Sequence, residues 1–126
     1  MIQENKNLVL QDLCCRIPYR VRCSFGVDDA VYEICGINPS CCGASEIQAT
    51  HIKSGINGDF KLTSCKPYLF PMSSMTEEQR KELQSLMIQD SYGIFYHTLE
   101  SYDWLNKNHF DYRGLIEKGL VIDATN

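Results

Sequence analysis

The spacing of apolar residues changes character near Lys66, from short strand-like alternations to helical stripes with recognisable starts and stops. Near the N-terminus, Leu10, Leu13, Cys14 and Ile17 recur at helical spacing and predict a short helix over 8–17, stopped by Pro18. From Tyr19 to Phe25 the period drops to two, with Tyr19, Val21, Cys23 and Phe25 on one face and Arg20, Arg22 and Ser24 on the other. Residues 30–37 and 46–52 read as two more strands, the latter carrying Ile47, Ala49 and His51 on one face. Asn57-Gly58 reads as a tight turn leading into a fourth strand over 60–65.

After Lys66, Pro67 and Pro71 mark an extended strap with no ladder donors at those positions. Thr76-Glu77-Glu78-Gln79 is a capping box in which hydroxyl and amide satisfy each other's orphan backbone groups. Leu83, Leu86 and Met87 supply the apolar stripe of the helix it opens, and Gly93 breaks the pattern. Thr98 caps a second helix carrying Leu99, Tyr102 and Leu105, with Trp104 beside them. Asp111 is read as the cap of a third, very short helix ending at Gly119, and Leu120-Val121-Ile122 as a candidate last strand.

The expected fold is α+β: a small antiparallel sheet or open barrel of about four strands, packed with two to three C-terminal helices. The chain reads as a single domain, 1–126, strand-rich over 18–65 and helical over 76–119, since the strands need the helices to bury a face.

Composition removes several classes of function. No apolar run approaches the ~20 residues of a membrane span. The opening Met1-Ile2-Gln3-Glu4-Asn5-Lys6-Asn7 has no signal-peptide pattern, so a cytoplasmic location is expected. The net charge of −4 lies wholly in residues 71–126, which hold nine Asp/Glu against five Lys/Arg. An acidic half disfavours a nucleic-acid partner, because phosphate contacts supply most non-specific affinity.

Seven cysteines, Cys14, Cys15, Cys23, Cys35, Cys41, Cys42 and Cys65, contain no C-x₂₋₄-C knuckle, so free thiols are expected rather than zinc ligands. His51, His97 and His109 make a cysteine-dependent enzyme conceivable on inventory alone. No phosphate loop, metal-protease helix or paired-acid motif is present, so no catalytic residue, cofactor site or metal site is assigned.

Two long segments resemble a family. They are Lys66-Pro67-Tyr68-Leu69 with Pro71-Met72-Ser73-Ser74-Met75-Thr76-Glu77-Glu78, and Trp104-Leu105-Asn106-Lys107-Asn108-His109-Phe110-Asp111-Tyr112-Arg113-Gly114-Leu115-Ile116. Together with Leu10-Gln11-Asp12-Leu13-Cys14 and Ile17-Pro18-Tyr19, they resemble small uncharacterised proteins of Bacteroides-type gut bacteria, often encoded in prophages or other mobile elements. The resemblance implies that origin and a shared fold. It implies no activity, cofactor or catalytic residue.

The expected function is therefore that of a non-catalytic accessory protein that binds another protein. Tyr68, His109, Asp111, Tyr112 and Arg113 are the candidate partner-binding residues, from the aromatic strap and the densest polar–aromatic cluster. The alternatives are a nucleic-acid-associated protein using Arg16, Arg20 and Arg22, or the cysteine-dependent enzyme.

Overall fold

The computed structural model describes residues 2–26, 30–38 and 46–126. Helix α1 spans Gln3–Arg16, beginning a turn earlier than the apolar spacing implies. Its buried face is Val9, Asp12, Leu13 and Arg16, an i, i+3, i+4, i+7 stripe. The expected stripe was rotated by one position: Cys14 is exposed, and Leu10 and Ile17 are only half-buried. The reason is physical. Two of the inward residues are charged, so a stripe drawn from apolar residues alone takes the wrong face.

After α1, Ile17–Tyr19 form a tight 3₁₀ turn, and strand β1 is only Arg22–Ser24. Strands β2 (Tyr32–Ile37), β3 (Ile47–His51), β4 (Asn57–Phe60) and β5 (Lys66–Leu69) follow. With β8 (Ile122–Asp123) they form one six-stranded sheet in the order β4-β3-β2-β1-β5-β8. All pairs are antiparallel except β5 with β8, so the sheet is mixed and larger than the four antiparallel strands expected.

Two segments fold differently from what their sequence pattern predicts. Asn57-Gly58 lies inside β4, opposite Thr50 and Ala49, while the turn is made by residues 52–54 with Gly55 at φ +72°. The ring nitrogen Nδ1 of His51 accepts the Ser54 N–H at 3.1 Å and shapes that turn. The proline strap is a ladder strand as well, since Cys23 faces Pro67 as its partner. The expected loop 38–45 lies, beyond Asn38, outside the described residues.

Helix α2 spans Glu77–Leu86, and its capping box forms as read: Gln79 N–H donates to Thr76 Oγ1 at 3.1 Å, and Thr76 N–H to Gln79 Oε1 at 2.8 Å. A two-stranded hairpin, β6 (Ile88–Gln89) and β7 (Phe95–Tyr96), follows. Helix α3 spans Leu99–Lys107, capped by Thr98 in the same reciprocal way with Ser101. Among the described residues no third C-terminal α-helix forms; the segment 112–119 is made of turns. Asp111 accepts the N–H groups of Leu115 and Ile116, both at 2.9 Å, four and five residues on, which staples a loop rather than starting a helix. Gly114 at φ +72° also interrupts any helical path.

Two apolar clusters form among the described residues. The larger sits between α1 and the inner face of the sheet, around Val9, Leu13, Cys23, Ile34, Ile47 and Leu69. The smaller gathers Met75, Leu83, Trp104, Leu105 and Phe110, with Trp104 stacked on Phe110 at 5.6 Å. No helix among the described residues is long and apolar enough to cross a membrane.

Candidate functional site

The five residues singled out in the sequence do not converge. Asp111 is buried, with both oxygens filled by the loop it staples. Tyr112 and Arg113 line a groove of about 500 Å³ beside Cys15, Leu99 and Tyr102 of the α1–α3 side. Tyr68 and His109 line a separate cleft of about 460 Å³, with Arg20, Arg22 and Phe70.

Between these lies a sealed ionic cluster. Arg16 is completely buried and grips Asp12 with two nitrogens, Nε to Oδ2 at 2.8 Å and Nη2 to Oδ1 at 3.1 Å. Nη2 also donates to the Phe110 carbonyl at 2.6 Å, and the guanidinium lies 5.4 Å from the Tyr112 ring centre. A planar fork suits this task, since one side chain closes carboxylate, carbonyl and ring contacts at once. Arg113 Nε lies 3.3 Å from Asp12 Oδ1 but out of line for a hydrogen bond, so it adds charge rather than a directed bond. Arg16 is thereby removed from any phosphate-binding face; of the three arginines proposed for nucleic acid, only Arg20 and Arg22 reach solvent.

The cleft at Tyr68 is held by unusual backbone. Arg20 and His109 are the described non-glycine residues with positive φ, at 60° and 58°. Each left-handed placement costs roughly 1 kcal/mol. They are linked: His109 Nε2 lies 2.9 Å from the Tyr19 carbonyl, immediately before Arg20. A carbonyl only accepts, so Nε2 carries the proton and Nδ1 is a bare acceptor, buried and without a partner among the described residues. Burial pushes the His109 pKa down, with the Arg16 charge adding to it against opposing contributions from the Tyr19 bond and Asp12.

The third feature was not expected from sequence. The hairpin and the start of α3 expose Ile88 (62%), Tyr92 (88%), Ile94 (53%), Tyr96 (52%) and Leu99 (75%). Its tip is nonetheless ordered by one side chain. Asp90 accepts from Tyr92 N–H at 2.9 Å and Ile94 N–H at 3.0 Å, and from the Tyr96 hydroxyl at 3.1 Å. These bonds, led by that from Ile94, hold the Asp90 carboxyl below its ordinary range. Thr98 Oγ1 closes the base by donating to the Leu86 carbonyl at 2.5 Å. The legible signal was Asp90-Ser91-Tyr92-Gly93, a turn sequence between Ile88 and Ile94-Phe95-Tyr96, although Gly93 alone reads only as a break.

No described side chains assemble a cysteine–histidine pair. The rings of His51, His97 and His109 bond Ser54, Ser101 and the Tyr19 carbonyl. The Cys23 thiol is pushed far up by its hydrogen bond with Cys65 and by burial, which makes it a core thiol rather than a nucleophile. No group of three or more potential metal ligands occurs among the described residues; Cys41 and Cys42 lie outside them. No protein-family model, curated protein or solved structure matches the chain.

Proposed function

We propose that the protein is a non-catalytic accessory protein, of the prophage or mobile-element kind its sequence resembles, that acts in the cytoplasm by binding another protein through the hairpin over residues 88–96 and the adjoining face of α3. The observation that carries this reading is an ordered hairpin whose large apolar side chains are left in water. Scattered exposed apolar residues are ordinary, but a contiguous patch on a fixed scaffold marks an interaction surface. Covering the exposed part of a side chain such as Ile94 or Leu99 stabilises by about 1–2 kcal/mol, a gain this fold leaves to a partner. The Asp90 staple fixes the tip beforehand, which lowers the ordering cost of association.

The chemistry of the partner follows from charge. Residues 88–103 carry Asp90, Glu100 and Asp103 and no Lys or Arg. An apolar site with a basic rim complements that surface, whereas a second copy would bring like charges together. Tyr102 continues the patch toward Tyr112, whose ring centre is 5.3 Å away, and so to Arg113 among the originally expected contacts.

A photocrosslinking residue at Tyr92, compared with one at exposed Thr63 in the turn before β5, tests the proposal in cells that make the protein. The expected result is one heterologous product from position 92, whose purified partner binds the wild type in a salt-sensitive manner and binds Ile94→Ser more weakly. Crosslinks only between copies of this chain, or undiminished binding by folded Ile94→Ser and Leu99→Ser, would sink the reading.

A further inference from the structure

The cleft between β1, β5 and the His109 turn shares no lining residue with the hairpin surface, and its chemistry is different. Arg22 is exposed on β1 opposite Glu33 of β2, and its side chain has no hydrogen-bond or ion-pair partner among the described residues. One step along the ladder from the Cys23–Pro67 pair sets it opposite Tyr68, on the sheet face turned away from the core. Arg20 reaches the same cleft from its left-handed position, with Glu33 its one ion-pair neighbour among the described residues, at 3.9 Å and with 84% of the Arg20 side chain exposed. That is a weak, screened contact. Phe70 forms the apolar wall, 40% exposed, and is pinned to the His109 segment by Phe70 N–H to the His109 carbonyl and Asp111 N–H to the Phe70 carbonyl, both at 2.8 Å.

Two cations that share one carboxylate, Glu33, among the described residues, two aromatic rings and a wall fixed by paired strained residues describe a site rather than a solvated strand face. We propose that this cleft binds a small organic anion, its charged head held by Arg20 and Arg22 and its flat body lying against Tyr68 and Phe70. The volume of about 460 Å³ falls in the range of small-molecule sites. Guanidinium forks match both phosphate and carboxylate heads, so the shared requirement is an aryl anion. His109 is neutral with its proton committed to the Tyr19 carbonyl, so it shapes the wall and adds no charge. An oligonucleotide is the less favoured occupant, because the acidic C-terminal half repels an extended phosphate chain.

The test is NMR titration of the isotope-labelled full chain with phenyl phosphate, benzoate, inorganic phosphate, benzyl alcohol and a thymidine decamer. Phenyl phosphate or benzoate is expected to give saturable shifts confined to Arg20, Arg22, Tyr68, Phe70 and their neighbours; which of the two binds tighter identifies the head group. Arg22→Gln is expected to weaken that binding by about tenfold. Arg20→Gln repeats the test at a side chain too exposed to threaten folding. Glu33→Gln is expected to tighten binding severalfold, because it removes the competing carboxylate, and Phe70→Ala to abolish the preference for phenyl phosphate over inorganic phosphate. The proposal is overturned if benzyl alcohol shifts the same signals equally, if all surface arginines respond alike, if nothing saturates, or if the decamer binds more tightly than either aryl anion.

Discussion

Around Asp12 and Arg16 the protein buries two charges completely; along the hairpin over residues 88–96 it leaves Tyr92 and Ile94 mostly in water. Both invert the usual sorting of residues, and they do so for different reasons. The buried pair joins α1 to the Phe110 segment and so ties the larger apolar cluster to the smaller one. Hydrocarbon could fill that volume but could not satisfy the Phe110 carbonyl, and removing one partner of such a pair leaves an uncompensated buried charge. The hairpin is the opposite case. Its tip is tied by Asp90, while its large side chains Ile88, Tyr92, Ile94 and Tyr96 are left exposed. Removing part of the first should harm the fold, and removing part of the second should harm only what the fold does.

The largest expected effect breaks the buried side of that comparison. Arg16→Ala strands the Asp12 carboxylate and should cost about 3–5 kcal/mol in denaturant melts, whereas a paired Asp12→Leu, Arg16→Met exchange should cost much less. A shift under about 1 kcal/mol for Arg16→Ala would mean the pair does not join the clusters.

Next comes the local support of the hairpin's neighbour. Thr76→Ala should lower stability by ~1 kcal/mol, since both capping bonds are formed and the Gln79 N–H would lose its acceptor. An unchanged midpoint would show that α2 is held by Leu83 and Met75 alone.

His109 sharpens the comparison through pH. Its folded pKa lies below the ordinary 6.5, so the unfolded chain binds the proton more readily. Its contribution is therefore fully present above about 6.5 and is lost as pH falls through the folded value. The melting temperature should drop between pH 7.5 and 5 more for wild type than for His109→Gln, whose amide can still donate to the Tyr19 carbonyl. Parallel pH curves for the two proteins would count against a buried neutral imidazole.

The smallest effect on stability is expected on the exposed side. Tyr92→Ser and Ile94→Ser should each stay within about 0.5 kcal/mol of wild type. A loss of 2 kcal/mol or more, on the order of a core truncation, would place these side chains in the fold rather than on a binding face.

Local chemistry was legible in the sequence wherever neighbours in the chain decide the outcome. The Thr76–Gln79 box, the Thr98 cap, the alternation of Val21, Cys23 and Phe25, and the inward Ile47 and Ala49 all follow from bonds or faces set within a few residues. The α+β class followed from the same signals, and the concentrated acidity of residues 71–126 was legible by count.

Tertiary structure decided the rest. Nothing near Arg16 in sequence announces a carbonyl at Phe110, 94 residues away, so the inward face of α1 could not be drawn from apolar spacing. The loop Asn57-Gly58 suggested gave way to a strand because β3 offered it a ladder, and β5 took Pro67 into the sheet beside β1. The parallel β5–β8 pair needed both ends of the second half to meet. Of the candidate contacts, Asp111 was legible as a cap but not as a buried loop staple. The division of Tyr68 and His109 from Tyr112 and Arg113 arose because a sheet face and a helix groove, not sequence distance, set which side chains share a surface.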